Sequence, residues 1–265
     1  MDFLEVEMKA IKVDLPKDLQ FVELYTLSDL HFGDKNCNYD EISKIIDKIQ
    51  TSAHAYVILN GDLINNATTQ SISDTYSEIM SPMQQLKMVK SLLEPIKDKI
   101  IAITSGNHEN RTYKTDGIDL TEILAIELGL ANRYSPESAT IFLKIGDRGT
   151  HYSNRPVHYV IYVTHGSGGG RREGGKINRL VDLASIIDAD IYIHSHTHLP
   201  AALKQAFYRS NPATSTINLV DKLFVNTNAW LNYGGYGESH GYKHASISTP
   251  IVYLSGSRKD FTAKL

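Results

Sequence analysis

FVELYTLSDLHFG, residues 21–33, is an apolar run that breaks off into a carboxylate and an imidazole two positions apart. Phe21 to Leu27 reads as a strand. The same event recurs four times along the chain. Tyr56 to Leu59 runs into Asn60-Gly61-Asp62, and Ile100 to Thr104 into Ser105-Gly106-Asn107-His108-Glu109. Val157 to Val163 runs into Thr164-His165-Gly166, and Ile191 to Ile193 into His194-Ser195-His196-Thr197-His198. In open α/β sheets, sites gather outside the carboxyl ends of the strands. Side chains scattered between residues 29 and 198 are therefore expected to converge in space.

The segments between these runs read mostly as helices. Tyr39 to Gln50 carries Ile42, Ile45, Ile46 and Ile49 on one helical face. Ser81 or a neighbour is placed to cap a helix through Met83 to Leu93, with Pro82 near its first turn. Ile118 to Leu128 reads as a helix that stops at Gly129, and another is expected from about Lys176 to Ile187. Thr140 to Ile145, Lys222 to Asn226 and Ile251 to Leu254 read as further strands. The early part resembles β-α-β units and the later part is richer in strands. The expectation is a layered α/β fold with a largely mixed sheet. No Gly/Ser/Pro linker divides the chain, so one domain over residues 1–265 is expected. Its strand-end motifs fall within residues 28–198, and C-terminal strands with an aromatic, glycine-rich loop fall within 222–255.

Composition narrows the class. With 42% hydrophobic and 22% charged residues the chain resembles ordinary soluble globular proteins. A net charge of −3 supplies no global basic field for long nucleic acids, though a local patch remains open. Cys37 is the only cysteine, which excludes an internal disulfide and fits a reducing compartment. The start, Met1 to Glu7, is acidic and mixed, unlike a signal peptide. No stretch approaches the roughly 18 apolar residues of a membrane span. A cytoplasmic protein without membrane contact is expected.

The donor types suggest metal chemistry. In an extended segment, residues two apart face the same side. Asp29 with His31, and His196 with His198, are therefore each expected to reach one metal neighbourhood. Carboxylate, imidazole and amide donors suit Mn²⁺, Fe²⁺/³⁺, Zn²⁺ or Ni²⁺. The lack of thiolates argues against a zinc knuckle or an iron–sulfur cluster.

Taken in order, Asp29-Leu30-His31, Gly61-Asp62, Gly106-Asn107-His108-Glu109, His165-Gly166 and Ser195-His196-Thr197-His198 resemble the signature of the calcineurin-like metallophosphoesterases. The resemblance covers residues 28–198. One position departs from it: Ser195 stands where the family usually has glycine, which adds a side chain but removes no ligand. The resemblance implies an α/β/β/α sandwich with mixed sheets and outer helices, and two divalent or trivalent metal ions, Mn²⁺ foremost, with Fe, Zn or Ni as alternatives. Asp29, His31, Asp62 and His198 would hold the first ion. Asp62, Asn107, His165 and His196 would hold the second, with Asp62 bridging. His108 would lie at the scissile phosphate rather than on a metal, and Glu109 or Asp34 would orient the residues around it. Two close cations would clamp a phosphoryl group, and a metal-bridging hydroxide would attack phosphorus in line. His108, helped by Glu109, could protonate the leaving oxygen.

Three further features bear on substrate. The glycine-rich run Gly166 to Lys176 starts at His165 and leads into a helix, so it reads either as an anion-binding loop, with Arg171 and Arg172 as phosphate donors, or as a solvated surface loop. Arg111 is a second phosphate-binding candidate. Asn226 to Gly237 is aromatic and glycine-rich and reads as a loop packing its own rings, with a base-stacking rim as the other reading. His194 and the remaining histidines, His54, His151, His158, His240 and His244, read as structural or surface residues. The leading functional reading is a phosphodiesterase of nuclease type acting on a nucleotide or nucleic acid. A phosphomonoesterase and a non-catalytic scaffold are the alternatives. Protein phosphatases of this superfamily carry an arginine soon after Gly-Asp, which Gly61 to Asn66 lacks.

Overall fold

The computed structural model describes the chain except residues 1–7, 70, 72–74, 147–154, 240 and 245. The N-terminal segment through Glu7, His151 and His240 thus lie outside the described residues. In chain order the strands are β1 (Ala10–Asp14), β2 (Phe21–Leu27), β3 (Ala55–Asn60), β4 (Ile100–Thr104), β5 (Tyr134–Ser135), β6 (Ser138–Ile145), β7 (Val157–Thr164), β8 (Ile191–His194), β9 (Ala201–Asn211), β10 (Thr216–Asn226), β11 (Ile251–Ser255) and β12 (Phe261–Lys264). The helices are α1 (Tyr39–Thr51), α2 (Pro82–Leu93), α3 (Glu109–Asp116), α4 (Leu120–Glu127), α5 (Glu173–Asp182) and α6 (Gly235–Ser239).

Local chemistry sets these boundaries. Asn38 Oδ1 accepts the Glu41 amide at 3.2 Å and starts α1, which buries Ile42, Ile46 and Ile49. Pro82 opens α2, and the Ser81 amide donates to Gln84 Oε1 at 2.9 Å. Helix α4 begins later than its apolar pattern suggests, because Asp119 Oδ1 accepts the amides of Thr121 and Glu122. Gly129, with φ +75°, lies just beyond its end. Helix α5 begins at Glu173, three residues before the expected start, and closes in a 3₁₀ turn over Leu183–Ser185.

Two six-stranded sheets result, ordered β1-β6-β7-β8-β10-β9 and β12-β11-β2-β3-β4-β5. Both are mixed: β2, β3, β4 and β5 run parallel in one, and β7, β8 and β10 in the other. The sheets pack face to face through Val22, Leu24, Ile58 and Ile101 on one side and Ile141, Ile161, Ile191 and Val225 on the other. Ile42, Val89 and Leu124 from α1, α2 and α4 cover the outer face of the β2–β5 sheet. Leu180 of α5 covers Tyr192 and Phe224 on the outer face of the other. The layers are helix, sheet, sheet, helix. Among the described residues no helix is long and apolar enough to cross a membrane.

The β9–β10 hairpin extends past the sandwich. Strand β10 pairs with β8 only over Leu223–Asn226, so Thr216–Lys222 and Gln205–Asn211 form a two-stranded ribbon. Tyr208, Ile217 and Leu219 are exposed on it.

The C-terminal strands are tied down by one phenol. Tyr159 is buried on β7, and its hydroxyl lies 2.7 Å from Ser255 O, 3.1 Å from Arg258 O and 2.9 Å from Asp260 O. Tyr159→Phe leaves these carbonyls short of a donor, at an expected loss of about 1–2 kcal/mol. Chemical denaturation measures the loss, and a midpoint equal to wild type would show that water replaces the hydroxyl there.

Candidate metal centre

The carboxyl ends of β2, β3, β4, β7 and β8 open onto one rim, and the polar residues that follow them turn inward there. The turning is done by backbone strain. Asp29, His31, Asp62, Asn66, His196 and His198 all have positive φ, between 44° and 64°. A left-handed conformation is unfavourable for side chains other than glycine and persists only where the surroundings over-determine it. The extended alternation expected for Asp29-Leu30-His31 and His196-Thr197-His198 is therefore not what brings these side chains together. Left-handed turns do so, and they send the two histidines of the second pair to different places.

Ligand atoms of Asp29, His31 and His198 lie within 4.8 Å of one another, and so do those of Asp62, His165 and His196. A third group of that size, His31, Asp62 and His108, joins the two. His198 Nε2 is 3.1 Å from Asp29 Oδ1 and 3.4 Å from His31 Nε2. His165 Nε2 is 3.2 Å from both Asp62 Oδ2 and Asn107 Oδ1. The Asn60 carbonyl accepts His165 Nδ1–H at 2.7 Å, which leaves Nε2 to face Asp62.

Two buried atoms at this rim, Asp29 Oδ1 and His196 Nδ1, lack a hydrogen-bond partner. The close contact between His198 and Asp29 Oδ1 lacks the alignment of a hydrogen bond. Unsatisfied buried oxygen and nitrogen lone pairs, gathered with further imidazoles, suit a pair of metal ions.

Charge in the cluster is uneven. Burial alone would raise the Asp29 carboxyl, but His198 and His165 outweigh it and hold it near 2. Burial opposes ionisation of Asp62 as well, yet His165 and His108 keep it well below the usual carboxylate range. Burial would depress His165, but the facing Asp62 lifts it to about 10. Burial and the neighbouring His108 lower His31 to about 3, and burial and His165 lower His196 to about 4. Apart from His165, then, the shifted imidazoles are neutral at pH 7, the form that ligates metal.

Glu109 plays a different part from a partner of His108. Its Oε1 accepts the amides of Leu63 (2.6 Å) and Ile64 (3.2 Å), and its Oε2 those of Asp62 (3.0 Å) and Gly106 (3.1 Å). It thus folds the Asp62 turn onto the Gly106 turn. Burial and the Asp62 charge push it up to about 7, against four donors that favour its anion. Burial lowers His108 to about 4; Asp62 opposes the shift and Arg111 adds to it, so the ring is neutral at pH 7. Asp34 Oδ1 accepts the Asn36 amide and shapes the turn after His31.

Residues the sequence did not single out complete the rim. Asn60 Nδ2 donates to Thr164 O (2.9 Å) and Ser195 Oγ (2.6 Å), while Thr104 Oγ1 donates to Asn60 Oδ1 (2.6 Å). Ser195 thus receives a bond that glycine could not. Lys176 Nζ donates to Thr197 O at 2.7 Å, between the two histidines of that turn. Strand-end asparagines and a first-turn lysine carry no distinct sequence signal. His194 is buried and bonded to Asn226 Oδ1 at 2.8 Å, a satisfied core histidine.

Among the substrate candidates, Arg111 lies beside His108, its Nη2 3.0 Å from His108 Nε2. Arg171 and Arg172 are exposed at the tip of the glycine-rich loop, and no contact places them in the cluster. Arg179 holds that loop through Ser167 O and Gly169 O. In the stretch after β10, Trp230 is buried and its amide donates to Asp29 O, whereas Tyr233 is half-exposed and stacked on His244 with ring centroids 5.5 Å apart.

The family model described as calcineurin-like phosphoesterase matches residues 24–200. No curated protein sequence matches the chain. Among solved structures the chain is similar to an uncharacterized protein of Streptococcus pneumoniae TIGR4, described as a predicted phosphoesterase, at 13% identity over 93% of this chain and 99% of that one, with a TM-score of 0.35. It is also similar to Vps29 from Entamoeba histolytica complexed with zinc, at 14% identity over 91% and 90% of the two chains, with a TM-score of 0.37. Scores this low add nothing to the fold beyond this chain's own two sheets.

Two outcomes are expected. Glu109→Gln turns an amide N–H₂ toward two of the four backbone donors, and should cost about 2–3 kcal/mol of stability and weaken metal uptake; unchanged denaturation and metal titration would remove Glu109 from this role. Metal uptake should release a proton, because His165 must lose the one that Asp62 favours. Affinity should therefore rise with pH through the neutral range, up to about tenfold per unit for one proton. Calorimetry in buffers of different ionisation enthalpy checks this, and pH-independent uptake without proton release would contradict it.

Proposed function

The chain belongs to the calcineurin-like phosphoesterase family, and from that premise we propose that it is a dinuclear metal-dependent phosphodiesterase of nuclease type, acting on a nucleotide or nucleic acid. The observation that carries the reading is the placement of Asp62, fully buried between the Asp29–His31–His198 group and the His165–His196 group. In this reading Asp29, His31, Asp62 and His198 hold one ion, and Asp62, Asn107, His165 and His196 the other, with Mn²⁺ the best match to oxygen and nitrogen donors without thiolate. When bound, the pair supplies the Lewis acidity and the activated nucleophile that phosphoester hydrolysis needs.

The chain's own groups do the rest. His165 is aimed by the Asn60 carbonyl, and Asp62 by the His108 amide, which donates to its Oδ1 at 2.8 Å. His108, with its side chain mostly buried and its Nε2 3.8 Å from Asp62 Oδ2, faces the place where a phosphoryl group would meet both ions. Buried neutral imidazoles and fixed backbone dipoles need little reorganisation as charge develops there.

Substrate choice rests on the rim. Tyr233 lies on the segment whose Trp230 amide bonds Asp29 O, so a base could stack on its ring while the linked phosphate reaches the ions. Arg171 and Arg172 offer mobile-reach cations to a longer substrate's backbone. The net charge of −3 favours a short contact over a long duplex. The buried lone cysteine, Cys37, suits a cytoplasmic setting.

With Mn²⁺ the protein should hydrolyse bis-p-nitrophenyl phosphate faster than p-nitrophenyl phosphate, and cleave nucleotide or single-stranded substrates. A reversed preference would make it a monoesterase, and no turnover with both sites loaded would make it a binding scaffold. Asp62→Asn should remove most activity together with bound metal. His108→Ala should slow turnover with metal content intact, and loss of metal in that variant would refute the role.

A further inference from the structure

We infer that Arg111 is a positioning residue for His108, holding the ring in a single tautomer, and is not a direct clamp on substrate phosphate. The inference rests on the reading of His108 as the group beside the scissile phosphate.

The hydrogen bonds fix the tautomer. His108 Nδ1 lies 2.7 Å from Asn65 O, and a carbonyl can only accept, so Nδ1 carries the hydrogen. Arg111 Nη2 lies 3.0 Å from His108 Nε2, and a guanidinium can only donate, so Nε2 presents its lone pair. One neutral tautomer satisfies both partners. The other would place two hydrogens between the ring and Arg111, and two lone pairs between the ring and Asn65.

Arg111 is itself committed. Its Nη1 donates to Asn65 O at 2.9 Å and to Asn66 O at 3.3 Å. With the Nη2 bond, three of its five N–H groups are spent within this corner, and the end-on pair of Nη1 and Nη2 is engaged by Asn65, Asn66 and His108. The corner is closed from the other side by Asn66, held at φ 44°, whose Nδ2 donates to His108 O (2.8 Å) and Thr112 Oγ1 (2.9 Å). Arg111 sits one turn into α3 and folds back toward the residue that precedes the helix.

Without the guanidinium, the ring loses the one partner that requires a lone pair at Nε2. Arg111 and the Asn65 carbonyl therefore decide together which ring nitrogen carries hydrogen. A residue that acts this way changes the reaction step rather than the binding of substrate.

The test has two arms. In metal-free protein labelled with ¹⁵N at histidine, two-bond ¹H–¹⁵N correlations report the protonated nitrogen of His108, its signal assigned by its loss in His108→Asn. Wild type should show hydrogen at Nδ1 only. Arg111→Ala should show a second form protonated at Nε2, and Arg111→Lys, which keeps one donor, should restore the wild-type pattern. Hydrogen at Nε2 in the wild type overturns the proposal whether or not the variants fold, and an unchanged pattern in Arg111→Ala overturns it too. In the kinetic arm, with Mn²⁺ and bis-p-nitrophenyl phosphate, Arg111→Ala should lower kcat about tenfold or more while KM moves less than about threefold. A raised KM with kcat kept would make Arg111 a substrate clamp. Should the wild type show no turnover at all, the functional reading fails, while the spectroscopic arm still decides the tautomer.

Discussion

Asn60 joins the two sheets at the point where the site forms. It ends β3, and its side chain is bonded to Thr104 at the end of β4, to Thr164 at the end of β7 and to Ser195 just past β8. Its carbonyl orients His165. One buried amide therefore sets the spacing between the sheet that supplies Asp29, His31, Asp62 and Asn107 and the sheet that supplies His165, His196 and His198. Were the sheets to slide, every inter-sheet donor distance would change together. The neighbouring glycines permit this closeness. A Cβ on Gly61 would stand 2.5 Å from the Gly106 amide nitrogen, and one on Gly106 would stand 2.2 Å from the Asp62 amide nitrogen. Both meet backbone, which cannot step aside.

That closeness explains the strained backbone. Five strand ends meet, and after three of them, β2, β3 and β8, left-handed residues turn polar side chains into a small volume. Left-handed residues cost of order 1–3 kcal/mol each, and six at one rim represent a substantial load. Glu109 offsets part of it by receiving four amides from two of the turns. Lys176 steadies the turn that separates His196 from His198. The strain is stored where carboxylates and imidazoles lie close together in a buried setting, and a pair of cations would supply the missing partners there.

How much of this was legible followed from burial. The strands before each donor are apolar because both faces are covered, so β2, β3, β4, β7 and β8 stood out within a residue or two, and the order of their polar ends carried the family likeness. Helix α3 was missed because Glu109–Asp116 reads ENRTYKTD, polar throughout, with only Glu109 buried. Strand β9 carries little more signal: it is exposed along most of its length, with Phe207 packing on Phe224. The nearness of Asp62 to His165 comes from the family likeness alone, and nothing in the sequence shows that Asn60 bonds across the sheets, because both are long-range contacts. Strand alternation does not extend to His196 and His198, where positive φ replaces it, and their division between two groups follows the family likeness instead.

The same contrast divides the interior of the site from its rim. Asp62, His165 and His108 are each held by a buried or half-buried bond, which fixes their orientation in advance. The groups around the rim are held by exposed ones. Lys243 reaches Glu173 at 2.5 Å across open surface, Tyr233 is half-exposed, and Arg171 and Arg172 extend from a loop that Arg179 fastens only at its base. An exposed ion pair contributes little and yields easily. The rim can therefore change by substitution without disturbing the strained turns beneath, whereas a change at Asn60, Gly61 or Glu109 reaches the candidate metal donors directly. The fold thus separates an adaptable outer surface from the backbone that the two sheets clamp.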